Sequence, residues 1–273
     1  MPPYSEDKMA ELALLEPVIE QLTPVEEQDR VTLEYSEIPW PDISHIITDD
    51  GAPVDNLLTE RNMRLLTDAL YTSWKGPGDN RPFLTYANVG LFFSVSEPPL
   101  VPDVLLSLDV AAPREFIGKD KYRQSYFVWY FGKPPDVVIE IVSNKVGREE
   151  GFKRRKYAQL GIAYYIVFDP DHHLNREILR VYELRGRQYE QLEHPWLSAI
   201  GLGLTLWPAD YQGSNATWLR WVDADNKLLL TGAELAEQER TRAEQERTRA
   251  DVEHSLVEKL MAQLRMAGIE PEL

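Results

Sequence analysis

In "PPDVVIEIVSNK", residues 134–145, a carboxylate stands where a buried strand would carry none: Glu140 lies among Val137, Val138, Ile139, Ile141 and Val142. An unpaired charge buried in such a run costs several kcal/mol. Glu140 therefore needs a cation, either a Lys or Arg side chain or a metal ion. Strand alternation puts Asp136, Val138, Glu140 and Val142 on one face and Val137, Ile139 and Ile141 on the other. A second acid, Asp103, opens the apolar run "VPDVLLSLDV" directly after Pro102. If the two strands are neighbours, both carboxylates address one pocket, and two such oxygens with waters and a phosphate are a common Mg²⁺ or Mn²⁺ site. Pro-Asp before a strand is also an ordinary turn, and the two readings differ in whether the acids meet.

A third group follows. In "EEGFKRRKY", Lys153 and Lys156 are three apart and Lys153 and Tyr157 four apart, so all three lie near one helical face. An ammonium at 153 that reaches back to the Glu140 strand would orient a water or offset the charge that develops on a phosphoryl oxygen. Arg154 and Arg155 read as surface groups paired with Glu149 and Glu150. The histidines, His45, His172, His173, His194 and His254, show no ligand spacing and read as structural or solvent-facing. The chain has no cysteine, which excludes disulfides and cysteine-held zinc and leaves oxygen or histidine for any metal. No Gly-rich phosphate loop, dinucleotide fingerprint or nucleophile elbow is present.

These groups need a scaffold, and 43% apolar residues with 7 Trp and 13 Tyr in 273 residues supply a real core. The spacing in "NLLTERNMRLLTDALYTSW", residues 56–74, predicts a core-facing helix with Thr59 as its cap. "FLTYANVGLFFSV", "VPDVLLSLDV" and "SYFVWYFG" read as strands before the Glu140 strand. Residues 147–161 read as a helix closing on Gly161, "IAYYIVFDP" as a buried strand, and "EILRVYELRGRQYEQLE" as a hairpin turning at Arg185 and Gly186. Strands with one linking helix predict an α/β (α+β) fold, a mixed sheet with helices packed on it.

Beyond residue 232 the composition changes. "EQERTRA" at 237–243 is repeated at 244–250, a seven-residue period that runs into Val252, Leu256, Leu260 and Leu264. The period fits a dimerising coiled coil, with Ala236, Ala243, Ala250 and Val257 at one heptad position, or a solvated single helix held by Glu and Arg pairs. The division expected is an acidic lead-in over 1–54 with a short helix, a main domain over 55–232 and a charged helix over 233–273. No basic start with an apolar run opens the chain and no stretch suffices to cross a bilayer, so a cytoplasmic protein is expected.

The net charge of −16 argues against a polyanion partner, but its distribution does not. Residues 1–60 hold 15 acidic against 2 basic groups, whereas residues 111–156 hold 11 basic against 6 acidic. Local potential steers a polyanion.

Taken together, "VPDVLLSL", "PPDVVIEIVSN" and "FKRRKYAQLGIAYYIVFDP" resemble the Uma-type restriction endonuclease family, a branch of the PD-(D/E)xK nuclease superfamily. In that family a "PDV" strand and a "PDLVVEVLS" strand precede a helix with Lys, three residues and Tyr, and then "AGVPEYWLVDP". Lys153 with Tyr157, and Gly161 to Pro170, fit the last two parts, and the resemblance spans roughly residues 55 to 232. It implies a restriction-endonuclease-like core in which Asp103 and Glu140 bind a divalent cation, with DNA as the substrate. The superfamily's Glu-x-Lys would place lysine at Val142, so Lys153 takes that part, and the frequent "SPST" is "SNKV" here. An acidic residue or histidine from the first helix often completes such sites, and Glu60 is the nearest candidate. The alternatives are an inactive nuclease-fold binding or regulatory protein that assembles through its C-terminal helix, for instance as a homodimer, and a hydrolase using Asp103 and Glu140 as an acid and base pair.

Overall fold

The computed structural model of the protein describes residues 56–78, 81–112, 124–143, 149–174 and 177–268. The acidic lead-in, its short helix and His45 lie outside the described residues. In chain order the elements are α1 (Leu57–Ser73), β1 (Phe83–Ala87), β2 (Leu91–Phe92), β3 (Val104–Leu108), β4 (Tyr126–Phe127), α2 (Val128–Phe131) and β5 (Val137–Ile141). A π-helical turn (Glu149–Lys153) leads into α3 (Arg154–Leu160), then β6 (Tyr164–Phe168), β7 (Leu179–Arg185), β8 (Gln188–Gln191), β9 (Trp196–Leu197), β10 (Leu202–Tyr211), β11 (Ser214–Val222) and α4 (Gly232–Met266).

The main sheet runs β1-β3-β5-β6-β7-β8. Only β5 and β6 are parallel among its neighbours, and parallel neighbours need a crossover, which the π turn and α3 provide. The mixed sheet with packed helices matches the expected α+β class. β9, β10 and β11 form a second, antiparallel sheet, and β2 pairs with β4.

Strand alternation gives β5 two different duties. Val137, Ile139 and Ile141 join a core with Met63, Leu66, Ala69 and Leu70 of α1 and with Leu204, Leu219 and Trp221 of the second sheet. The α1 residues recur at three- and four-residue spacing, which gathers them in one stripe. Asn62 fixes this layer by bonding both the N–H and the carbonyl of Leu219, each at 3.1 Å. On the opposite face, Val138 and Val142 pack with Tyr157 of α3 and with Tyr165, Tyr182 and Tyr189.

Four local expectations are corrected. Asn56, not Thr59, caps α1: its Oδ1 accepts the Thr59 N–H at 2.8 Å, while Thr59 is already inside the first turn and buried. "SYFVWYFG" contributes two strand residues and then turns into α2, because Phe127 and Trp129 pack against Phe92 in a satellite cluster away from the main sheet. The helix after β5 is in two parts, a π turn and then α3, with residues 147 and 148 outside the described residues. Gly161 does end it, at φ +76. The hairpin turns one residue later than read, since Arg185 pairs with Gln188 and leaves Gly186 and Arg187 as the turn. Gly186 has φ +64, which the first position of such a turn demands.

α4 is one continuous helix of 35 residues. Thr231 and Glu234 form a capping box, and Glu234 also bonds fully buried Arg220 through two contacts of 2.8 Å. Farther along, Arg240 with Glu237, Arg242 with Glu246 and Arg249 with Glu253 pair within the helix. Val252, Leu256, Leu260 and Leu264 are exposed. Among the described residues, no helix is long and apolar enough to cross a membrane.

Candidate active site

β3 and β5 run antiparallel with Val104 opposite Ile139, so the next rung of that ladder sets Asp103 opposite Glu140. Directly opposed residues share a face, with Cβ atoms about 5 Å apart. Asp103 is held by its own neighbour strand: its Oδ2 accepts the Ile141 N–H at 2.6 Å. Glu140 is only 2% exposed, on the face that carries Val138 and Val142. Lys153 Nζ donates to Glu140 Oε2 at 2.7 Å, and the Tyr157 hydroxyl donates to Oε1 at 2.6 Å. One turn of helix separates the two donors, so a single helical face serves both carboxylate oxygens. The π turn ends at Lys153 and delivers its side chain there, a use to which such turns are often put at functional sites.

Burial is the main force on Glu140 and pushes its carboxyl up to about 7, with Asp103 adding to the rise and Lys153 and Tyr157 opposing it. Tyr157 is raised well above the usual phenol range, first by burial and then by the Glu140 charge. The Asp103 charge that helps raise the Glu140 carboxyl is one that a divalent cation would offset. The donors fit a hard cation: oxygen only, two carboxylates, with the remaining positions left to water and phosphate, as Mg²⁺ prefers. Among the described residues no cluster of three or more His, Cys, Asp or Glu is poised for a metal.

The structure brings Asp103, Glu140 and Lys153 together. It does not bring in Glu60 or Lys156. Glu60 is on α1, which packs on the opposite sheet face, and it pairs with Arg64. Lys156 turns away to Glu97 at 2.6 Å, because one residue before Tyr157 it points off the Glu140 side of α3. Arg154 donates to the Tyr189 carbonyl at 3.1 Å and stacks on the Tyr182 ring. The side chains of Glu149 and Glu150 lie outside the described residues. His173 is 3.7 Å from Asp171 and His254 3.4 Å from Glu258, and neither approaches Glu140's partners. Val142 is buried among apolar side chains, so the strand itself presents no lysine. Sequence reasoning gave Tyr157 no role. Its four-residue spacing from Lys153 was the available signal.

The family model described as "Putative restriction endonuclease", Uma2, matches residues 26–207. The match includes β3, β5 and α3, and it begins within the segment read as a lead-in. No curated protein matches the chain.

The buried carboxyl makes stability depend on pH with a sign opposite to that of most acids. Burial raises the Glu140 carboxyl from its ordinary 4.5 to about 7 in the fold, so between these values the folded state holds the extra proton. The stabilisation is full below the lower value and is lost as pH rises through the upper one. Glu140→Gln removes this decline, which urea unfolding across that pH window will register as a flatter profile than the parent's. An equally steep decline in both proteins contradicts the assignment.

Proposed function

The chain belongs to the Uma2 family, described as "Putative restriction endonuclease", and from that premise we propose that it is an Mg²⁺- or Mn²⁺-dependent endonuclease that hydrolyses DNA phosphodiester bonds. The observation that supports this most directly is the meeting of Asp103 and Glu140 on one sheet face beside the Lys153 ammonium. Asp103 and Glu140 would hold the cation. A cation held there would polarise the phosphate and lower the pKa of a bound water. Asp103 is kept in place by the Ile141 amide, and Tyr157 and Lys153 set the orientation of the Glu140 carboxylate. Lys153 adds a positive charge in a half-buried setting, where it offsets charge developing on a phosphoryl oxygen better than it would in water.

A second reading is favoured by Val142 and by the two bonds that already occupy both Glu140 oxygens: a nuclease-fold binding protein in which the carboxylates serve structure. The acid and base pair reading has no comparable support. The assay that separates them uses supercoiled plasmid and single-stranded DNA with Mn²⁺ or Mg²⁺. Cleavage is expected in the parent, abolished by chelator and by Asp103→Ala, and reduced about a hundredfold or more by Lys153→Met. Equal cleavage in parent and Asp103→Ala, or activity that persists in chelator, contradicts the metal-dependent reading.

The exposed stripe of Val252, Leu256, Leu260 and Leu264 supports pairing of α4 with a second copy of the chain. Sedimentation velocity is expected to give a dimer for the parent and a monomer for Leu256→Glu with Leu260→Glu. A monomeric parent leaves α4 as a solvated helix.

A further inference from the structure

On the sheet face that carries Glu140, the crossover builds a second chemical feature. Between α3 and β8 lies a cleft of about 500 Å³ lined by Arg154, Arg155, Arg187, Gln159, Gln188 and Tyr189 among others. Among the described residues that line it, every charged group is an arginine. In a chain of net charge −16 this is a local reversal of sign, and local sign is what an anion meets.

The three arginines differ in how they are held. Arg154 is fixed as a wall, with its guanidinium 4.5 Å over the Tyr182 ring and bonded to the Tyr189 carbonyl. Arg155, on the exposed side of α3, and Arg187, at the tip of the β7–β8 turn, make no ion pair among the described residues. Of the described acids nearby, Glu183 and Glu190 both pair with Arg185. Two exposed, planar guanidinium groups facing one cleft suit phosphate oxygens, which they can grip through paired N–H donors.

Position selects the kind of phosphate. Arg154 follows Lys153 directly in the chain, so one short crossover presents an ammonium to the carboxylate pair and guanidinium groups to the cleft. β8 is three strands from β5, about 14 Å at sheet spacing. That distance is roughly four base-pair steps along a DNA strand. We propose that the α3–β8 cleft holds the DNA phosphate backbone beside the site of cutting, with Arg155 and Arg187 as the contacting groups and Arg154 as the fixed wall. The proposal rests on the nuclease reading and extends it to the track that substrate follows.

The test is fluorescence anisotropy of a short fluorescein-labelled duplex with the full chain in chelator, at a series of salt concentrations. Arg155→Glu combined with Arg187→Glu is expected to weaken binding about tenfold or more. It should also make the slope of log affinity against log salt shallower by about two, one for each lost phosphate contact. Both residues are exposed, and circular dichroism matching the parent's establishes that the variant folds. Asp103→Ala, which leaves the cleft intact, keeps the parent's salt slope. Unchanged affinity and slope in the double variant, with a parent that binds and cuts DNA, overturns the cleft assignment alone. A parent that binds DNA through these arginines yet never cuts it upholds the cleft and removes the nuclease reading. A parent that binds no duplex overturns both.

Discussion

A carboxylate buried in a strand between two apolar layers sets the terms for the rest of this fold. Glu140 lies in the middle of the sheet, where neither water nor an exposed edge can solvate its charge, and its surroundings are organised to meet that demand. Lys153 and Tyr157 reach it from one helical face, and Asp103 approaches it from the adjacent strand. The result is balanced rather than saturated: burial and Asp103 favour the protonated acid, and Lys153 and Tyr157 favour the carboxylate. Such balance is what a site needs if its charge is to respond to a cation.

The architecture follows from this through β5. Its odd-numbered residues bury against α1 and the second sheet, a layer closed by Leu66, Trp221 and the Asn62 bonds to Leu219. Its even-numbered residues face α3. The parallel pairing of β5 with β6 obliges the chain to cross over that same face, so the helix that closes the topology also delivers the ammonium and the phenol. Fold and site therefore share one connection. The arginines of the α3–β8 cleft come from that crossover and from the turn that ends β7.

Much of this was legible in the residues. The alternation across Glu140, the two PD-led strands and the Lys153 spacing all follow from periodicity, and periodicity survives folding when one face is buried. What was not legible depended on contacts between distant segments. Nothing in "KRRKYAQ" tells that Lys156 would find Glu97, or that Arg154 would lie on Tyr182, since those partners are brought by other strands. The aromatic run 126–131 has strand-like composition, yet local ring packing against Phe92 overrode it. The Asn56 cap was missed because Thr59 is also a capping type, and only geometry distinguishes the residue outside the first turn from the one inside it. Glu60 was a candidate only through the resemblance, and α1, which carries it, packs on the sheet face opposite Glu140.

A cation shared by Asp103 and Glu140 is what the proposed chemistry requires. Isothermal titration calorimetry with Mn²⁺ addresses it without reference to any substrate. A single site is expected in the parent, lost in both Asp103→Ala and Glu140→Ala while each variant retains the parent's far-ultraviolet circular dichroism. Undiminished Mn²⁺ binding in either folded variant, or a folded parent that binds no Mn²⁺, would contradict it.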